Sequence, residues 1–169
     1  MRIRSLSQVG LLVADIDRSL EFYCGILGLK LVKLFEMPSH VVTHLYGVKD
    51  RSVRMALVRC GWGSFIELIE YAPPETDQPL PRTCPGMTHI ALDVRNINKT
   101  CRKLTERGLT LLDEPARDGN TEFAFVMDPD GHLVEFIDMK LLYLANKFLG
   151  GVIGGLNMRG KYRRYRRVD

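Results

Sequence analysis

The sequence predicts an α+β chain built from two βαβββ modules, and three observations carry that expectation. The segment QVGLLVADIDRSLEFYCGILGLKLV from Gln8 aligns without a gap with HIALDVRNINKTCRKLTERGLTLL from His89, at an offset of 81. A second pair, SFIELIE from Ser64 and HLVEFID from His132, aligns at an offset of 68. Between the copies, Tyr71 to Gly86 holds five of the eight prolines, too many for a helix or a central strand. Long internal repeats announce architecture before any local reading does.

Each element follows in order. Residues 7 to 13 alternate as a leucine-rich strand, after which Asp15 or Asp17 offers an N-cap to a helix that places Leu20, Tyr23, Ile26 and Leu27 on one face. Gly28 is the natural stop for that helix. Strands are expected at Leu29 to Phe35, Val53 to Val58 and Phe65 to Glu70, with residues 36 to 52 either carrying structure of their own or lying over a binding site. The second copy repeats the order: a strand at Thr88 to Val94, a helix from about Asn98 to Arg107 ended by Gly108, and strands near Leu109 to Leu112, Phe123 to Met127 and Leu133 to Asp138. The DPDG turn, Asp128 to Gly131, joins the last two as a hairpin. The expected organisation is a first module over 5–71, a proline-rich linker over 72–86, a second module over 87–139 and a C-terminal extension over 140–169.

A chain of 169 residues with 46% hydrophobic and 26% charged residues can bury a core without covalent staples. Cys24, Cys60, Cys84 and Cys101 contain no CxxC pair, and two of them fall inside expected helices, which argues against a zinc ribbon or a disulfide framework. Reduced thiols in a cytoplasm are the simplest reading. The early apolar run ends at Asp15 as part of the first repeat, so no cleavable signal is visible. Net charge is +4, yet residues 159 to 169 hold six basic residues and one acid, leaving the rest of the chain at −1. The basic character is local, which argues against a nucleic-acid-binding body.

The repeat sets Glu67 over Glu135 and Gln8 over His89, so four side chains able to bind a metal occupy the first and last strands of the two copies. Within a strand, residues of equal parity share a face, so Glu67 opposes Glu70 and Glu135 opposes Asp138. Glu67 and Glu135 lie mid-strand amid apolar residues, whereas the outer acids sit near strand ends. A carboxylate held among apolar side chains needs a partner, and a divalent cation is the strongest available.

These residues carry a resemblance to the vicinal oxygen chelate superfamily, which includes glyoxalase I, methylmalonyl-CoA epimerase, extradiol dioxygenases and bleomycin-resistance proteins. It covers roughly residues 5 to 139 and rests on QVGLLVADIDRSLEFYCGILG, FIELIEY, THIALDV and VMDPDGHLVEFID. The resemblance implies paired βαβββ modules whose sheets curve around a cleft, one divalent metal per site bound by Gln8, Glu67, His89 and Glu135, and a small-molecule substrate. The Gln-Glu-His-Glu order resembles that of some glyoxalase I enzymes and suits zinc, nickel, cobalt, manganese or iron. It implies an isomerase or lyase working through an enolate or enediolate, with Glu135 as leading catalytic base and Glu67 as its counterpart. A homodimer is favoured, the cleft being built by one chain or by modules from two.

Two positions depart from the glyoxalase I pattern. Leu12 stands where those enzymes carry an arginine, and Glu70–Tyr71 stand where an asparagine is expected, so a glutathione carboxylate loses its guanidinium partner. An epimerase reading borrows from THIALDV and RGLTLLDEP. An extradiol reading needs two histidines and one carboxylate, and only His89 is in place, because His132, three residues before Glu135, falls on the opposite face. A reading of another class is a metal-free cleft that sequesters an antibiotic-like compound. His40 and His44 lie in the loop region and are expected to be solvated.

The extension LLYLANKFLGGVIGGLNM, Leu141 to Met158, has an uncharged part too short to span a bilayer and rich in glycine. It is expected to pack on the domain or a second subunit, with the arginine-rich end solvated. The sharper alternative is contact with an anionic membrane or nucleic acid, helped by Tyr162 and Tyr165.

Overall fold

The structure, a computed structural model, describes residues 5–61, 63–72, 86–140 and 149. Residues 73–85 of the linker and nearly all of the C-terminal extension, with the membrane and nucleic-acid readings attached to it, lie outside the described residues.

The first sheet contains β1 (Gln8–Leu12), β2 (Lys30–Met37), β3 (Ser52–Cys60) and β4 (Ser64–Ala72), in the spatial order β1-β4-β3-β2. The second contains β5 (Ile90–Asp93), β6 (Ala116–Asp118), β7 (Thr121–Met127) and β8 (Leu133–Asp138), in the matching order β5-β8-β7-β6. In each, the first strand runs parallel to the last and the remaining pairs are antiparallel. A helix makes the parallel crossover in both copies: α1 (Ile16–Leu20), which continues as a π-helical turn over Glu21–Ile26, and α3 (Ile97–Glu106).

The cap expected for the first helix and both glycine stops are in place, and the second helix starts one residue earlier than expected. Asp15 takes the N-cap of α1 and accepts from the Asp17 and Arg18 amides, and Asn96 caps α3 through the Lys99 amide. Gly28 and Gly108 end the two helical segments at φ +77° and +86°, a left-handed conformation that glycine adopts without a Cβ penalty. Asp17 instead turns to Arg54, which also reaches Glu70 at 3.2 Å, and Glu70 accepts the Ile16 amide.

One expectation is corrected, and one left open is answered. The strand expected at Leu109 to Leu112 is absent: Leu109 and Leu111 pack against the core in irregular backbone, Leu112 donates one hydrogen bond to the Phe125 carbonyl, and the paired strand begins only at Ala116. Apolar alternation there reflects burial without a ladder. Residues 36 to 52 contain a helix, α2 (Ser39–Tyr46), whose Val42 is fully buried against Val53, Met55 and Ile69.

One core spans both modules. Leu11, Ile16, Phe22, Tyr23, Ala56, Val58, Ile66 and Leu68 of the first join Ile90, Ile97, Cys101, Leu104, Ala124, Val126, Val134 and Phe136 of the second. Polar contacts lock the junction. The Tyr23 hydroxyl donates to Asp128 Oδ2 at 2.9 Å, Arg18 and Ser19 donate to Asp130, and the Arg107 guanidinium donates to the Ile26 carbonyl. Asp128 also accepts from the amides of Asp130 and His132 and lies 2.9 Å from His132 Nδ1. Burial alone would raise the Asp128 carboxyl, but hydrogen bonds and charge from His132 outweigh it and hold it below its usual value. His132 is raised by the same bond, against its burial, and burial with the Asp128 charge pushes the Tyr23 phenol far up.

Candidate metal centre in two halves

Both sheets turn one face to the shared core and leave the other open. On β4, Ile66 and Leu68 enter the core, which puts Glu67 and Ile69 on the open face. On β8, Val134 and Phe136 enter it, which puts Glu135 on the open face of the second sheet. Glu70 and Asp138 fall on the core side, where Glu70 serves the start of α1 and Asp138 accepts the Lys140 amide.

Gln8 Nε2 donates to Glu67 Oε2 at 2.8 Å, and His89 Nε2 lies 3.1 Å from Glu135 Oε2. Glu135 is the more enclosed member of its pair, its side chain 12% exposed against 39% for His89. The other ring nitrogen of His89 is 3.0 Å from the Thr88 hydroxyl, a contact that orients the ring and leaves Nε2 aimed at the carboxylate. Phe125 packs edge-on to the same ring, with centroids 6.1 Å apart.

The register around the two carboxylates is duplicated. Glu67 stands between Gly10 of β1 and Leu57 of β3, and Glu135 between Ala91 of β5 and Phe125 of β7. In both sheets the edge-strand neighbour is small and the other neighbour is large and apolar. A Cβ placed on Gly10 would stand 3.3 Å from Ile69 Cδ1. Sequence reasoning overlooked Leu57 and Phe125, although the offset of 68 that aligns the two glutamates also aligns these.

The structure brings Gln8 to Glu67 and His89 to Glu135, and it does not gather the four. Among the described residues no group of three or more His, Cys, Asp or Glu side chains comes together as a metal cage. As chemistry the four fit one: two carboxylates, an imidazole and an amide oxygen match the donors that borderline divalent ions accept. His132 sits in the β7–β8 turn bonded to Asp128, away from both halves, and His40 and His44 are exposed on α2. Cys24, Cys60 and Cys101 are free thiols. Among the described residues no helix is long and apolar enough to cross a membrane.

A family model described as the Glyoxalase/Bleomycin resistance protein/Dioxygenase superfamily matches residues 5–136. The chain belongs to that superfamily. Within it, a probable lactoylglutathione lyase of Synechocystis is 35% identical over 130 residues, spanning 74% of this chain and 88% of that protein. A lactoylglutathione lyase of Haemophilus influenzae is 34% identical over 132 residues, 76% of this chain and 87% of its own length. A glyoxalase family protein from Bacillus cereus superposes with a TM-score of 0.71 over 82% of this chain and 95% of that one, at 20% identity, a likeness of fold. The superfamily's two-module α+β fold is the architecture described above, and within it this chain is similar to proteins named lactoylglutathione lyase.

Proposed function

We propose that the chain is a metal-dependent, glyoxalase-like isomerase or lyase that moves a proton next to a carbonyl in a small oxygen-rich substrate. The single observation that carries this is the duplicated register, which sets a mid-strand carboxylate beside a nitrogen-bearing ligand twice, each with a small residue on one flank. The full set is Gln8, Glu67, His89 and Glu135. A bound divalent cation would supply Lewis acidity to two neighbouring substrate oxygens and stabilise the charge of an enolate or enediolate.

Each residue then has a stated task. Glu135 takes the proton from the carbon next to the carbonyl, and Glu67 is its counterpart for return of the proton on the opposite side. Phe125 and Leu57 exclude water from the two carboxylates, which strengthens every electrostatic interaction there. Thr88 holds the His89 ring so that Nε2 faces inward.

Both halves lie on faces turned away from the core that the modules share, so completion of the set within one chain would need that core to open. The reading is therefore a site shared between two copies, the Gln8–Glu67 half of one facing the His89–Glu135 half of the other. Mixing Glu67→Gln with Glu135→Gln protein tests both parts. A shared site regains activity on subunit exchange, because one of the two sites in a mixed dimer carries neither substitution. Activity that the mixture does not regain would sink the shared site, and wild-type protein that binds no metal and isomerises no α-oxoaldehyde–thiol adduct would sink the enzyme.

A further inference from the structure

The helix α2 has a seat on the open face of the first sheet, and the register repeats that seat on the second. Met55 and Ile69 are directly paired across β3 and β4, and both are buried where Val42 of α2 meets them. Their counterparts at the offset of 68 are Phe123 and Ile137, directly paired across β7 and β8 on the face that carries Glu135. The next same-face pair along each ladder is Leu57 with Glu67 in one sheet and Phe125 with Glu135 in the other. The connection between β6 and β7, however, is Gly119 and Asn120 alone, too short to send a helix over the sheet. Phe123 and Ile137 are only half-buried, and among the described residues neither joins the two hydrophobic clusters. Phe123 leans on Phe125 with ring centres 5.9 Å apart, which extends one apolar surface from Ile137 toward the carboxylate. Contiguous apolar surface of this kind marks a docking site.

The chain supplies an occupant of its own. The strand β8 ends at Asp138, and Lys140 follows in a left-handed conformation, φ +50°, that a residue with a Cβ adopts uncommonly. Its amide donates to Asp138 Oδ1 at 3.0 Å and its ammonium stands 3.3 Å from Glu122 Oε1, so the module ends in a turn held from both β7 and β8. Beyond that turn the sequence reads LLYLANKFL over 141–149. Leu141, Leu144, Ala145 and Phe148 recur at helical spacing, while Tyr143, Asn146 and Lys147 fall on the other side. Leu149, at the margin of the stripe, is helical and 53% exposed. A helix of this length reaches about 13 Å, close to the width of a four-stranded sheet whose strands lie about 4.8 Å apart.

We propose that residues 141–149 form an amphipathic helix that docks its apolar stripe on Phe123 and Ile137 of the same chain, doing for the second sheet what α2 does for the first. Three observations choose this occupant. The seat copies one that a helix fills, the chain leaves β8 beside Ile137 and turns at once, and the first segment past the turn carries a matching apolar stripe. The docked helix stops short of Glu135, as α2 stops short of Glu67, so each carboxylate keeps an open approach with a helical wall along one side.

The test uses the full chain with the photo-crosslinker p-benzoylphenylalanine in place of Phe148, irradiated as an equal mixture of unlabelled and isotopically heavy protein. The expected adducts join position 148 to the β7 and β8 peptides that hold Phe123 and Ile137, always within one isotope label. Adducts that join light chains to heavy ones would give the seat to the extension of a second copy and overturn docking within the chain. Adducts that avoid both strands would overturn the seat itself. A second measurement needs no crosslinker and compares wild type with Leu144→Asp/Phe148→Asp. Amides of 141–149 should exchange about tenfold or more faster in the variant, and hydroxyl-radical labelling of Phe123 and Ile137 should rise while that of Met55 under α2 stays constant. Exchange over 141–149 that is equally fast in both proteins would overturn the proposal.

Discussion

The Tyr23 hydroxyl donates to Asp128 Oδ2 across the two modules, a buried contact of 2.9 Å between residues that lie far apart in sequence. Tyr23→Phe removes one of four donors to a carboxylate whose side chain is fully enclosed. The expected cost is about 1–3 kcal/mol, because a buried charged group loses a partner that water does not replace. Urea unfolding should show a lower midpoint with an unchanged slope. A midpoint equal to that of wild type would mean that the contact holds nothing together.

The same cluster gives a pH dependence with a definite sign. Asp128 is held below its usual 3.8, so its contribution is present above that value and is lost as pH falls through the lowered folded value. His132 is held above 6.5, so its contribution is complete below 6.5 and is lost as pH rises through the raised folded value. The stability gap between wild type and His132→Gln should therefore be widest between those two values and narrow toward alkaline pH. Denaturation midpoints across that range check this, and a gap that stays constant would refute it.

Glu135→Gln should leave the fold intact and lower kcat by about 10²–10⁴-fold, the range for loss of a general base. The glutamine is nearly the same size, and the side chain faces away from the core. Circular dichroism together with single-turnover kinetics separates the two effects. Retained turnover would move the base to Glu67 or elsewhere.

Val42 anchors α2 to the open face of the first sheet. Val42→Ala leaves a small void in a fully buried position and should cost about 1–3 kcal/mol. Because α2 touches only one end of that face, protection from hydrogen exchange should drop in Ser39–Tyr46 and along β3 while the second sheet is unaffected. Equal loss in both sheets would show that α2 supports the whole core.

Much of this was legible in the sequence for a physical reason. A strand alternates its side chains with a period of two, so Glu67 separates from Glu70, and Glu135 from Asp138, with no knowledge of packing. Helix ends announce themselves through Asp15, Gly28 and Gly108, whose side chain or lack of one satisfies local backbone needs, whereas the Asn96 cap was not read from the sequence. The helix α2 was not legible, since SHVVTHLY is short, holds two β-branched valines and a threonine that disfavour helix, and is anchored by Val42 meeting residues from two strands. Leu109 to Leu112 misled for the opposite reason: burial and strand pairing leave the same apolar signature. The π-helical turn has no sequence mark at all, being one extra residue per turn accommodated under the packing of Phe22 and Tyr23. Which carboxylate meets which nitrogen follows from parity and register, whereas the meeting of the two pairs depends on how sheets from separate modules face each other, which no single segment encodes.

The two sheets share a register and differ most in one connection. Between β6 and β7 the chain turns in two residues, Gly119 and Asn120, whereas between β2 and β3 it spends residues 38–51 and folds α2 from them. The duplicated scaffold varies most at this seam, where α2 lies outside the strand pairing that surrounds Glu67 and Glu135. One copy joins its outer strands by the shortest turn, and the other spends the same junction on a helix packed against its own sheet.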